Sequence, residues 1–191
     1  MDDTRETESR PTALVLMAEG GEEIETYAPA DVLVRAGVDV TIAGVGGLAP
    51  VGSRGLPMQA QQLIGAFRGR LFDAIVVPGG DGGARAIAAS EEATLRIRHH
   101  FDAGRIVAAI CASPAIVLGP MGLLDAKRAT GYPSTRGMFP ESATYVNESV
   151  VEDGTLITSK GPATAIVFGL AIASRLMGDP KAREVAEGML V

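Results

Sequence analysis

The stretch Arg105-Ile106-Val107-Ala108-Ala109-Ile110-Cys111-Ala112-Ser113-Pro114-Ala115 constrains the fold more than any other part of the chain. Five apolar residues in a row, Ile106 to Ile110, read as a strand buried on both faces, which is the pattern of a parallel sheet. Pro114 falls where a helix begins, because its fixed φ and missing N–H suit a first turn. Cys111 is therefore expected on a strand-to-helix turn at the carboxyl edge of the sheet, with the positive end of a helix stabilising a thiolate. That is the layout of a nucleophile elbow without its flanking glycines. Cys111 is also the only cysteine among 191 residues. Two readings stand: a reactive thiol, or one more small buried hydrophobe.

Other segments fit the same kind of sheet. Thr12 to Met17, Val38 to Ala43 and Phe72 to Val77 read as strands. A helix is expected up to Arg35, with Gly37 as its left-handed cap. Pro29 predicts either a kink in it or a start near Ala28. Glu91 to Ala103 reads as an amphipathic helix with Ala93, Ile97, His100 and Phe101 on one face and Gly104 at its end. Pro50 to Gln62 reads as short edge strands or a loop around Arg54.

After the cysteine, a helix through Ile116, Val117 and Leu118 is stopped by Gly119-Pro120. Thr144 to Ser159 reads as a hairpin turning at Glu152-Asp153-Gly154. Gly161-Pro162 opens an apolar helix over Ala163 to Met177 that is expected to be buried on most sides, and Asp179-Pro180 starts a last one. Strands alternating with helices predict an α/β, flavodoxin-like three-layer sandwich. Its mostly parallel sheet carries helices on both faces and a small β-hairpin, with the site at the strand carboxyl ends.

A chain that is 47% hydrophobic can bury a core of one domain, expected over 12–191 after a disordered tail over 1–11. Net charge is −6 and the cations are scattered, which leaves no footprint for nucleic acid or an anionic membrane. No run is long enough to span a bilayer, and Met1 to Arg10 carries no apolar signal core. With one cysteine, a reducing cytoplasmic setting is the expectation.

Three glycine-rich stretches bear on chemistry. Ala18 to Glu25 lacks the GxGxxG spacing, and its glutamates would repel a pyrophosphate, so nucleotide binding is rejected there. Gly44 to Gly47 is followed by Pro50 and Gly52 rather than a helix, so no phosphate cradle forms. Pro78-Gly79-Gly80-Asp81-Gly82-Gly83 has no Gly-Lys-Ser/Thr and is not a Walker loop. Its bare N–H groups suit an oxyanion hole or a plain turn. Glu25 reads as a solvated charge at a helix amino terminus or as a catalytic carboxyl. His99 and His100, the only histidines, belong at the opposite sheet edge from the thiol and read as structural or surface residues.

Ala-Glu-Gly-Gly-Glu-Glu-Ile-Glu at 18–25, Val-Val-Pro-Gly-Gly at 76–80 and Ala-Ala-Ile-Cys-Ala-Ser-Pro at 108–114 together resemble the ThiJ/PfpI superfamily. Within it they are most similar to the parkinsonism-associated protein deglycase subfamily. The likeness runs from Thr12 to the carboxyl terminus through Arg35-Ala36-Gly37 and Thr158-Ser159-Lys160-Gly161-Pro162. It implies that Cys111 is the reactive, easily oxidised cysteine and Glu25 the carboxyl that hydrogen-bonds it. Gly79, Gly80 and Ala112 would line the oxyanion and substrate site. A carboxylate beside a thiolate is repulsive, so one of the two must hold a proton.

The resemblance further implies glutathione-independent conversion of glyoxal and methylglyoxal to hydroxy acids, repair of early glycation adducts, a homodimer with Ile24 and Tyr27 near its contact, and no metal or organic cofactor. One departure stands out. Animal members carry histidine where this chain has Tyr132, and a phenol of pKa ~10 is a poorer proton carrier at neutral pH than imidazole at ~6.5. Tyr132 either hydrogen-bonds substrate, with weakened activity, or simply packs. Ala112 after Cys111, where peptidase-like and amidotransferase-like relatives use a nearby histidine, disfavours proteolysis and glutamine hydrolysis. The competing function is an oxidative-stress sensor working through oxidation of Cys111.

Overall fold

The computed structural model describes residues 10–191. The tail expected over 1–11 lies outside the described residues except at its end, where the Pro11 carbonyl accepts the Asp39 N–H at 2.8 Å. Pro11 is thereby fastened to the sheet rather than part of a tail.

The chain opens with β1 (Thr12–Ala18), α1 (Glu23–Arg35) and β2 (Asp39–Val45). It continues through β3 (Gln62–Leu63), β4 (Ala74–Val77), α2 (Asp81–Ala89) and α3 (Glu91–Asp102). Then come β5 (Ile106–Ile110), β6 (Arg128–Ala129), β7 (Thr144–Tyr145), β8 (Val150–Asp153) and β9 (Leu156–Ser159). It closes with α4 (Ala165–Met177) and α5 (Asp179–Gly188).

Seven strands form one sheet in the order β3-β2-β1-β4-β5-β9-β8, parallel except for the β8–β9 hairpin. Every residue of β4 and β5 is buried, as their unbroken apolar runs require. Helices α1 and α4 pack together on one face, and α2 and α3 on the other. The order reverses between β1 and β4, the place where an open α/β sheet leaves a crevice at its carboxyl ends.

Several local expectations are corrected. Helix α1 starts at Glu23 and runs through Pro29. The ring removes one N–H, and Gly169 of α4 packs so close there that a Cβ would meet Pro29 Cα at 2.9 Å. The glycine run after β4 leads straight into α2, because Gly82 and Gly83 lie against Gly20 and Gly21 with no room for side chains. After Cys111 the chain forms a single π-helical turn, Pro114–Leu118. Thr144 and Tyr145 pair with β6, so the hairpin is shorter than expected and turns after Asp153. Helix α4 buries one side only, through Ala165, Phe168, Gly169, Ile172 and Ala173, while Val167 is exposed.

His100 is fully buried near the amino end of β4, where Nε2 accepts the Phe72 N–H at 3.0 Å and Nδ1 donates to the Arg96 carbonyl at 2.7 Å. Its role is structural, and burial lowers its pKa. His99, on the same helix, is exposed.

Candidate active site

Cys111 follows β5 with φ +66°, a left-handed conformation that a residue with a Cβ rarely adopts. Two bonds impose it: the Cys111 N–H donates to the Ser159 carbonyl at 2.9 Å, and its carbonyl accepts the Tyr132 N–H at 2.7 Å. Ser113 braces the same turn, its hydroxyl donating to the Pro78 carbonyl at 2.6 Å. Strain held in place by neighbouring bonds is a feature of reactive turns.

Glu25 reaches this turn from the first coil of α1 and is fully buried. Its Oε2 accepts the Gly79 N–H at 2.9 Å. Oε1 is buried and has no hydrogen-bond partner among the described residues, and the Cys111 thiol lies close enough to couple to the carboxyl. At Gly79 a Cβ would stand 2.6 Å from both Cys111 Cβ and Glu25 Oε2. Gly80 has φ +77°, and a Cβ there would meet the Glu22 N at 2.8 Å. Only glycine lets this loop pass between the two side chains.

The Gly79 N–H is committed to Glu25. The backbone N–H groups facing the Cys111 sulfur are those of Gly80 and Ala112. Burial raises the Glu25 pKa to about 7, against a smaller lowering by Cys111. Burial first, and the Glu25 charge second, push the Cys111 thiol up to about 12. The expected depression of the thiol by a helix terminus is therefore overridden: a lone π turn aims a weaker field at the sulfur than a full helix, and burial opposes any charge there. The two groups form one coupled pair, in which the first proton leaves near pH 7 and the second far above it.

Tyr132 is 45% exposed and flanks the pair. Its ring lies against Gly161, where a Cβ would meet Tyr132 Cδ2 at 3.2 Å and Glu25 Oε1 at 3.8 Å. Cys111, Glu25, Gly79, Gly80, Ala112 and Tyr132 are thus brought to one corner of the sheet, at and beside the crevice between β1 and β4. Among the described residues, no group of three His, Cys, Asp or Glu side chains is placed to hold a metal ion.

The DJ-1/PfpI family description matches residues 11–175. The chain belongs to the DJ-1/PfpI family. The Drosophila melanogaster Protein dj-1beta is 42% identical over 182 residues, covering 94% of this chain and 97% of its own length. The crystal structure of Drosophila melanogaster DJ-1beta superposes with a TM-score of 0.92 at 40% identity, over 96% of this chain and 99% of the other. A Caenorhabditis elegans protein named glutathione-independent glyoxalase DJR-1.2 is 31% identical over 175 residues, 91% of this chain and 92% of its own.

In this family member, sequence reasoning passed over four residues that build the corner. Glu22 caps α1, with Oε2 accepting the Glu25 N–H at 2.8 Å. Ser113 ties the two loops, Ser159 fixes the Cys111 backbone, and Gly161 makes room for the Tyr132 ring. The Glu-x-x-Glu spacing at 22–25 resembles a capping box and was the available signal for Glu22.

Proposed function

We propose that this protein is a cysteine-dependent, glutathione-independent glyoxalase acting on small 2-oxoaldehydes, with early glycation adducts as a wider substrate class. One observation carries the reading: a fully buried Glu25 whose Oε1 has no partner among the described residues lies beside the only cysteine. An ionised Glu25 would bury a charge with one oxygen unsatisfied. Because Oε2 already accepts from Gly79, the proton that Cys111 gives up as its sulfur attacks is carried on Glu25 Oε1.

The chemistry then balances without a redox partner. The sulfur adds to the aldehyde carbon, and the N–H groups of Gly80 and Ala112 hold the resulting oxyanion, which takes the Glu25 proton. The Glu25 carboxylate removes the hydrogen from that carbon and delivers it to the neighbouring one. The proton of the first hydroxyl passes to the second oxygen, which leaves a thioester with a neighbouring hydroxyl, and water then releases the hydroxy acid and the thiol. One molecule of methylglyoxal and one of water give one of lactic acid. Tyr132, beside the pair, hydrogen-bonds the second carbonyl.

The test is lactate formation from methylglyoxal without glutathione. Wild type is expected to turn over and Cys111→Ser to be inactive; an inactive wild type overturns the reading. The second reading, a sensor in which Cys111 becomes a sulfinate, is favoured by the absence of a histidine at position 132. It predicts a gain of two oxygens on Cys111 under peroxide, lost in Cys111→Ser. We further propose that residues 12–191 act as one domain, in the cytoplasm, as a homodimer through α1, where Ile24 and Tyr27 are exposed. Light scattering that gives a monomer mass would remove the dimer.

A further inference from the structure

One proton is shared between Glu25 and Cys111, and the site is reactive only while it rests on Glu25. Whatever acts on Glu25 more strongly than on Cys111 therefore shifts where the charge sits. Glu22 meets that description. Its side chain is 5% exposed, and its Oε2 accepts the Glu25 N–H at 2.8 Å. Its own N–H donates to the Gly79 carbonyl at 3.0 Å, while the Gly79 N–H holds Glu25 Oε2. Glu22, Gly79 and Glu25 thus form a closed ring of bonds, and Glu22 contributes a negative charge to it. That charge acts on Glu25 in the direction that retains a proton, and its bonds tie it to the backbone of Glu25 and Gly79, so it weighs on Glu25 more than on Cys111.

The other groups around Glu25 do not substitute for it. Cys111 is the partner in the pair. Tyr132 reaches it from the loop after β6, with its ring against Gly161. The loop after β4 and Gly161 offer only backbone, and the first residues of α4, Ala165 to Phe168, bring no charge to this end.

We propose that Glu22 is a positioning residue whose carboxylate raises the share of molecules in which the shared proton sits on Glu25 and the negative charge on the Cys111 sulfur. This rests on the reading of Glu25 and Cys111 as the reacting pair. A helix cap alone needs no charge: serine or asparagine serves as well.

The experiment is the rate of iodoacetamide alkylation of Cys111 across pH, in wild type, Glu22→Gln, Glu22→Ser and Glu22→Asp. Glutamine and serine keep an acceptor for the Glu25 N–H and remove the charge. Without it, ionisation of Glu25 becomes easier while ionisation of Cys111 with Glu25 protonated changes less. The acid limb of the profile should superimpose on wild type. Its midpoint should move lower, by up to about one pH unit, and its plateau should fall by the same factor, roughly two- to tenfold. Glu22→Asp, which keeps the charge, should follow wild type.

An unmoved midpoint in Glu22→Gln and Glu22→Ser overturns the proposal. So does a uniform fall on both limbs, which a merely structural cap would give. The assay uses no aldehyde. A shifted profile in a protein that makes no lactate would refute only the glyoxalase reading, and lactate formation with an unshifted profile would refute only the role of Glu22.

Discussion

The N–H of Gly79 donates to Oε2 of Glu25 at 2.9 Å, so the loop after β4 and the helix after β1 are fastened at the carboxyl group itself. A Cβ on Gly79 would intrude on both Glu25 and Cys111. Gly79→Ala is expected to cost about 1–3 kcal/mol of stability and to lower turnover by about tenfold or more, because the pair is spread apart. Denaturant unfolding and lactate formation measured on the same preparation check both numbers.

Stability should fall as pH rises through the neutral range on account of Glu25. In the folded protein its carboxyl keeps a proton up to about pH 7, while its ordinary value is 4.5. Between those values the native state binds more protons than the unfolded chain, so raising the pH removes stability. The contribution is fully present below about pH 4.5 and lost above 7, a difference on the order of 3 kcal/mol. Glu25→Gln should lack it, and unfolding free energies of the two proteins at pH 4.5 and pH 8 give the comparison.

His100 supports the core and leaves the chemistry untouched. Replacing it by leucine strands the Phe72 N–H and removes the side-chain donor to the Arg96 carbonyl, at about 1–3 kcal/mol. Turnover per folded molecule should be unchanged. Because burial lowers the pKa of this imidazole, its contribution is lost as pH falls below about 6.5, and the variant should be less sensitive to that acid range.

Tyr132→His should raise turnover by about tenfold or more, since imidazole exchanges protons near neutrality and a phenol does not. Tyr132→Phe separates the remaining roles: a fall in activity assigns the hydroxyl to substrate binding, and no change assigns the ring to packing. Initial rates with methylglyoxal decide between them.

The buried strands β4 and β5 were legible because both faces of a parallel sheet demand apolar residues without interruption. The corner of the site was legible for the same reason, since each apolar run ended at a chemically distinctive turn. Helix α2 was not, because glycine has low helix propensity and its requirement at Gly82 and Gly83 comes from Gly20 and Gly21, distant in sequence. The commitment of the Gly79 N–H to Glu25 is likewise a tertiary fact that no local pattern encodes. Pro29 argued locally against a helix that packing with α4 sustains.

The central claim is that Cys111 and Glu25 act as one nucleophile and proton shuttle, and the most direct measurement is glutathione-free lactate formation by wild type, Cys111→Ser and Glu25→Gln side by side. The account predicts turnover in wild type and none in either variant. In Glu25→Gln any sulfur adduct should stay at the hemithioacetal, without a hydroxylamine-sensitive thioester. Lactate formed by Cys111→Ser, or by Glu25→Gln at the wild-type rate, would contradict it.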